Sequence, residues 1–268
     1  MDQVDVLIQG FPGKAVCHGG LGWSTVSLIR GQGRVILLDV GAFGVRRELE
    51  RQLRAHGVAP AEVTDVVLTH AHYDHAVNFT LFPSATVWIG AAELAWAAAQ
   101  PPGFDPLPEL YVRELMRSPN VHRIEAGEEF LPGLAAIAAP GHTPGSLVFL
   151  LTGTPAPMLF SGDAAKNRAE LLSGLVDATG NMADSQASLE VIWRHWRAQP
   201  GTILVPGHDL CMSLDASGRP VYIGERRAAI SAWFHESLAE ESIVDLCAAD
   251  RPGLFTQLVS DEAPSRAP

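Results

Sequence analysis

Short apolar runs divided by glycine turns open the chain. Val4 to Ile8, Ser24 to Ile29 and Arg34 to Asp39 are rich in β-branched residues and too short for helices. With Gly19-Gly20-Leu21-Gly22 and Gly31-Gln32-Gly33 between them, they predict a strand meander. Val45, Leu49 and Leu53 then recur four residues apart among Arg and Glu, which predicts an amphipathic helix closed by Gly57. Val63 to Leu68 reads as a buried strand that runs directly into Thr69-His70-Ala71-His72-Tyr73-Asp74-His75. A strand at Thr86 to Ile89 and a helix at Ala91 to Ala99 follow.

From Gln100 to Asn120 the texture changes to a proline-rich loop, with a short helical stretch ending near Arg117. A loop of this length inside a compact domain is usually functional or disordered. Beyond it, Leu134 to Ala138, Ser146 to Leu151, Pro157 to Ser161 and Thr202 to Val205 read as strands, and Ser185 to Ala198 as a helix. Two strand-rich halves, each followed by helix, predict two sheets face to face with helices outside, an α/β (α+β) arrangement. Glu225 to Cys247 is expected to be helical and residues 261–268 to fray, leaving one domain over residues 1–260.

The composition fits that picture: 268 residues, 47% apolar and 18% charged, describe a folded protein with a large core. A formal net charge of −11 repels phosphate backbones and anionic lipid. A small-molecule substrate is therefore the expected partner, neither nucleic acid nor membrane is, and a homodimer is allowed. Cys17, Cys211 and Cys247 stand far apart without a CxxC pair, which favours a reducing compartment over a disulfide framework. The N-terminus carries acids where an export signal would carry bases, and no apolar run approaches the roughly 20 residues of a spanning helix. A cytoplasmic location is expected.

The chemistry concentrates at strand ends. His70 and His72, two apart in an extended segment, point the same way and can share one cation, while Asp74 and His75 lie past the turn and can serve a second. Three more strand-end loops supply His142 in Pro140-Gly141-His142, Asp163 in Ser161-Gly162-Asp163, and His208 in Pro206-Gly207-His208. Each has a glycine beside it. With these residues in this order, HxHxDH followed by H, D and H, the sequence resembles the metallo-β-lactamase superfamily from about Ser24 to Asp209.

That resemblance implies a four-layer αββα sandwich with a binuclear metal site on its edge. It implies that His70, His72 and His142 hold the first metal, that Asp74, His75 and His208 hold the second, and that Asp163 bridges them. Five imidazoles and two carboxylates suit two divalent ions per chain, Zn²⁺ foremost, with Fe or Mn tolerated. Such a pair, about 3.5–4 Å apart, generates hydroxide at neutral pH, so hydrolysis is the implied reaction. Asp39, at the end of its strand, matches a superfamily aspartate that braces the metal loop.

Within the superfamily, an aspartate at the bridging position argues against true β-lactamases. The layout is closest to the N-acyl homoserine lactonase branch, through Gly207-His208-Asp209, the length and the long loop before His142. The implied substrate is a small lactone or related ester; a phosphodiesterase or nuclease, or a glyoxalase-II-like thioesterase, are the alternatives. Where that branch carries Tyr three residues after the bridging aspartate, this chain has Lys166, one of only two lysines beside Lys14. Its ammonium could stabilise a tetrahedral oxyanion. Asp74, Asp163 and Lys166 are thus the residues expected to serve the reaction itself. His18 and Cys211 are lesser candidates for the cleft. Phe11, Trp23, Phe104 and Tyr111 are candidate cleft walls, whereas Trp193 and Trp196 are expected to pack and His56, His122, His195 and His235 to lie at the surface.

Overall fold

A computed structural model of the chain describes residues 2–15, 17 and 20–247. The chain divides into two compact units, the first ending at Gly224 and the second beginning at Glu225. The first unit opens on the expected meander, β1 (Gln3–Ile8), β2 (Val26–Gly31) and β3 (Arg34–Leu38), paired antiparallel in sequence order. Helix α1 (Arg46–Ala55) buries Leu49 and Leu53, and Gly57 reverses the chain with a left-handed φ of 71°. After it, β4 (Asp65–Leu68), the short helix α2 (Tyr73–Ala76), β5 (Thr86–Gly90), α3 (Ala91–Ala99), α4 (Glu109–Arg117) and β6 (Val121–Ile124) complete a six-stranded sheet. Its order is β1-β2-β3-β4-β5-β6, parallel from β3 onward.

The second sheet begins with β7 (Glu129–Leu131), β8 (Leu134–Ala138), β9 (Leu147–Leu151) and β10 (Met158–Gly162). Helices α5 (Arg168–Ser173) and α6 (Met182–Ala198) precede β11 (Ile203–Pro206), β12 (Met212–Leu214) and β13 (Pro220–Tyr222). Both helices start on asparagine caps: the Asn167 carbonyl accepts from Glu170 N–H, and that of Asn181 from Ala183 and Asp184 N–H. The seven strands run β13-β12-β11-β10-β9-β8-β7, antiparallel except for β10 and β11.

Side-chain alternation along the strands shows the layers. Ile29, Ile36, Leu38 and Val67 of the first sheet pack with Leu134, Phe149, Phe160 and Val205 of the second, so these faces meet. On the opposite faces, Leu37, Val66 and Ile89 pack with Leu49, Leu94 and Leu115 of the helices, and Val148, Leu159 and Leu204 with Leu189, Ile192 and Trp196. The αββα sandwich is the observed architecture. Among the described residues no helix is long and apolar enough to cross a membrane.

The second unit corrects one expectation. Glu225 to Cys247 is not helical but carries an antiparallel pair, β14 (Ala229–Ala232) and β15 (Ser242–Asp245). Residues 261–268 lie outside the described ones.

Candidate metal centre

The candidate ligands all stand where strands end at one edge of the sandwich. His70 and His72 follow β4, Asp74 and His75 lie on α2, His142 lies between β8 and β9, Asp163 follows β10 and His208 follows β11. Close packing of backbone makes two of these turns specific to glycine. Gly162 has a left-handed φ of 48°, and a Cβ there would approach Thr69 to 2.7 Å. A Cβ on Gly207 would come within 2.5 Å of Gly162 O and 2.6 Å of Asp163 Oδ1.

The side chains converge in three overlapping groups able to hold a metal ion: His70, His72 and His142; His70, His75 and Asp163; and Asp74, His75 and His208. Within the first, Nδ1 of His72 lies 2.8 Å from Nε2 of His142. Within the last, Nε2 of His75 is 3.4 Å from Nε2 of His208, and Nε2 of His208 is 3.3 Å from Asp74 Oδ2. Asp163 faces both sides: Oδ2 is 3.3 Å from His142 Nε2, and Oδ1 is 3.1 Å from Nε2 of both His75 and His208.

Outer contacts orient the rings. Asp39, itself in the left-handed region at φ 53°, places Oδ2 2.7 Å from His75 Nδ1 and accepts from the Thr69 backbone N–H at 2.9 Å and from the Thr69 hydroxyl. Thr69 Oγ1 in turn lies 3.0 Å from His70 Nδ1. His142 Nδ1 donates to the Ala178 carbonyl at 2.8 Å, which turns its Nε2 lone pair toward Asp163.

The electrostatics divide the cluster. Burial, followed by the neighbouring imidazoles, holds His70 well below the usual range and His72 at about 3; burial also takes His142 to about 4. These three rings are neutral lone-pair donors at pH 7. Burial opposes charge on His75 and His208 too, but Asp163 and Asp74 outweigh it, lifting His75 well above its ordinary value and His208 to about 9. Burial likewise opposes ionisation of Asp74 and Asp163, yet His75 and His208 keep Asp74 at about 2 and Asp163 well below the carboxylate range.

These residues fit a divalent metal. His70 Nε2 is buried with no hydrogen-bond partner among the described residues, a cost that a coordinated cation removes. Neutral imidazoles and ionised carboxylates are the donors such ions take.

A cleft opens over the cluster in two adjoining lobes. The larger, about 960 Å³, is bounded by His72, His142, Trp96, Phe104, Pro106 and Pro144. The other, about 470 Å³, is bounded by Asp74, Asp163, His208, Phe11, Lys14 and Lys166, so both lysines of the chain face it. Lys166 is not a solvated loop charge: its side chain is only 12% exposed and Nζ lies 3.2 Å from Glu170 Oε1, while Lys14 pairs with Asp177.

Of the aromatic candidates, Phe11 and Phe104 line the cleft. Trp23 instead stacks on Phe11 at 4.9 Å with its indole N–H on the Gln9 carbonyl, and Tyr111 packs against Phe43 and Phe79. Burial pushes the Cys211 thiol up to about 11, and it packs against the core between the sheets. Trp196 is buried with its N–H on the Thr202 carbonyl, and Trp193 stacks on it. His56 and His195 are half-buried and His122 and His235 exposed; His18 lies outside the described residues. Sequence reasoning missed Trp96 as a cleft wall and Glu93 behind it. The available signal was Glu93 as the single charge in the apolar run Ala91-Ala92-Glu93-Leu94-Ala95-Trp96.

Comparison with known proteins agrees with the fold. Residues 19–208 match the family described as Metallo-beta-lactamase superfamily. The chain belongs to that superfamily and is a metallo-hydrolase. It is 28% identical to Metallo-beta-lactamase domain-containing protein 1 of Xenopus laevis over 208 residues, covering 76% of this chain and 78% of that protein. It is 29% identical to an N-acyl homoserine lactonase of a Bacillus species over 175 residues, covering 64% of this chain and 66% of that one. Among solved structures, a Thermotoga maritima metallo-β-lactamase fold superposes with a TM-score of 0.61 at 22% identity, covering 83% of this chain and 99% of its own. AidC, described as a dizinc quorum-quenching lactonase, superposes at 0.62 and 17% identity, covering 76% and 80%.

Proposed function

We propose that this chain is a dinuclear metal-dependent hydrolase of a small lactone or related ester. The observation that carries the reading is the division of the Asp163 carboxylate, one oxygen toward His142 and the other toward His75 and His208. That division supports a bridging role between a site of His70, His72 and His142 and a site of Asp74, His75 and His208. Two divalent cations held there would supply Lewis acidity toward a carbonyl oxygen and hydroxide at neutral pH. The nitrogen-rich donor set, and the description of AidC as a dizinc enzyme, support zinc.

The chain's own groups do the rest. Asp39 and the Ala178 carbonyl fix the ring orientation of His75 and His142, and Asp74 and Asp163 offset the cationic charge. Lys166 brings an ammonium to the lobe that also contains Asp163 and His208, where it meets the developing oxyanion or an anionic substituent. Trp96, Phe104 and Pro144 give the larger lobe an apolar wall for the acyl part. The similarity to N-acyl homoserine lactonases supports a lactone over a phosphodiester. Three free cysteines support a reducing, cytoplasmic setting.

Metal-replete protein should carry close to two ions per chain by elemental analysis and open lactones faster than it cleaves thioesters or bis-p-nitrophenyl phosphate. One ion or fewer refutes the dinuclear assignment. Preferential turnover of the phosphodiester moves the assignment to the nuclease-like alternative, and of thioesters to the glyoxalase-II-like one.

A further inference from the structure

We propose that Glu93 is a positioning residue for the three-histidine half of the centre, its one carboxylate fixing the two loops from which His70, His72 and His142 reach inward. The inference rests on the metal-centre reading above. Glu93 lies in the first turn of α3, fully buried. Its Oε1 accepts the Ala71 backbone N–H at 2.9 Å, and Ala71 is the residue between His70 and His72. Its Oε2 accepts the Thr143 hydroxyl at 2.6 Å, and Thr143 directly follows His142. The first loop leaves the first sheet and the second belongs to the second sheet, so a single side chain ties donors that the topology brings from different layers.

Two further details tighten the tie. Thr143 Oγ1 is 2.6 Å from Ser146 Oγ, which also accepts the Thr143 backbone N–H, so the turn after His142 is closed on itself before it meets Glu93. A Cβ on Gly145 would approach Glu93 N to 2.1 Å, so the loop lies directly against the start of α3 and leaves no room for slack.

A core-filling role does not account for this residue. Burying a carboxyl is costly, and an apolar side chain would fill the space beside Leu94 more favourably. Burial in fact lifts Glu93 to about 7, against hydrogen bonds from Thr143, Ala71 and Gly145 that favour the charged form. Every one of those bonds goes to a ligand-bearing loop, and none goes to the loops of Asp163 or His208. A displacement of these loops would move the three donors of one ion most directly, whereas Asp74 and His75 of the other, though they follow His72 in the chain, are also held from elsewhere, by the Ser24 hydroxyl on the Asp74 carbonyl and by Asp39 on the His75 ring.

Selectivity is therefore the test. Cobalt(II) titration of metal-free protein against a chromophoric chelator should resolve two dissociation constants in the wild type, and His142→Ala identifies the one that belongs to the three-histidine group. Glu93→Ala should weaken that same constant about 10–100-fold, the range for partners that orient metal ligands, and the other constant by a clearly smaller factor. Glu93→Gln keeps an acceptor for Ala71 N–H and can donate to Thr143 Oγ1, so it should recover most of the loss. Should Glu93→Ala fail to fold, Thr143→Val removes one of the two ties and should weaken the same constant by a smaller factor. Wild-type affinity in the variants, or equal weakening of both constants with Gln no better than Ala, overturns the proposal. A wild-type protein that binds fewer than two cobalt ions overturns the metal-centre reading first, before any variant is compared.

Discussion

Single residues carry the most legible part of this protein. The seven candidate donors could be singled out from their order because each stands at a strand end, and the structure brings all seven together. Asp39 was legible for the same reason, as an aspartate at a strand end, and the structure gives it His75 and Thr69 to hold. Lys166 is different: its position in the chain was readable but its partner was not, because Glu170 reaches it only through the first turn of α5. That ion pair fixes the ammonium at the cleft wall without exposing it. Lys166→Ala should lower kcat by about 10²–10³ with metal content unchanged, the loss typical of one oxyanion donor. A raised KM with kcat intact would instead show that Lys166 binds substrate and transition state equally.

At the scale of elements, legibility follows length in helices and apolar content in strands. Helices α1 and α6 repeat their pattern long enough to be recognised and strands β4, β8 and β10 are mostly apolar, whereas β6, β7, β12 and β13 are three or four residues each with a polar residue or a proline among them. The segment after Glu225 reads as helical from its sequence, but its large apolar residues Ile230, Trp233, Phe234 and Leu238 are exposed in the observed strands and turn, so no buried stripe supports a helix there. Helix α3 was legible as a helix but the enclosure of Glu93 was not: an acid in a surface helix is ordinary, and the one hint was its standing alone in an apolar run. This burial has a pH signature. Its folded value of about 7 lies above the ordinary glutamate value of 4.5, so its stabilising contribution is complete below pH 4.5 and is lost as pH rises through 7. That difference corresponds to roughly 3 kcal/mol. Relative to wild type, Glu93→Gln should therefore flatten the fall of unfolding free energy between pH 4.5 and 7 in metal-free protein. Parallel curves from urea unfolding would show that Glu93 keeps its usual acidity.

For the whole molecule, the centre is a junction between layers. His70, His72, Asp74 and His75 come from loops and helix of the first sheet, while His142, Asp163 and His208 come from the second. The sheets already share an apolar interface around Phe149 and Phe160, so the fold does not depend on metal to form its core. At the edge, however, the packing gives way to nitrogen–nitrogen and carboxylate contacts that a cation would join. Metal bound to the folded chain and not to the unfolded one adds about 4 kcal/mol per site at a free concentration a thousandfold above its dissociation constant. For a chain of this size each kcal/mol moves the melting temperature by roughly 2–4 °C. Chelation of both ions should therefore lower the calorimetric Tm by roughly 15–30 °C, and restoring zinc should reverse it. The loss should be smaller in Asp163→Asn, where the charge between the two groups is gone and less binding energy remains to be withdrawn. Equal Tm with and without metal, in protein shown to bind two ions, would mean that the donors do not link the sheets, and would separate the metal centre from the stability of the sandwich around it.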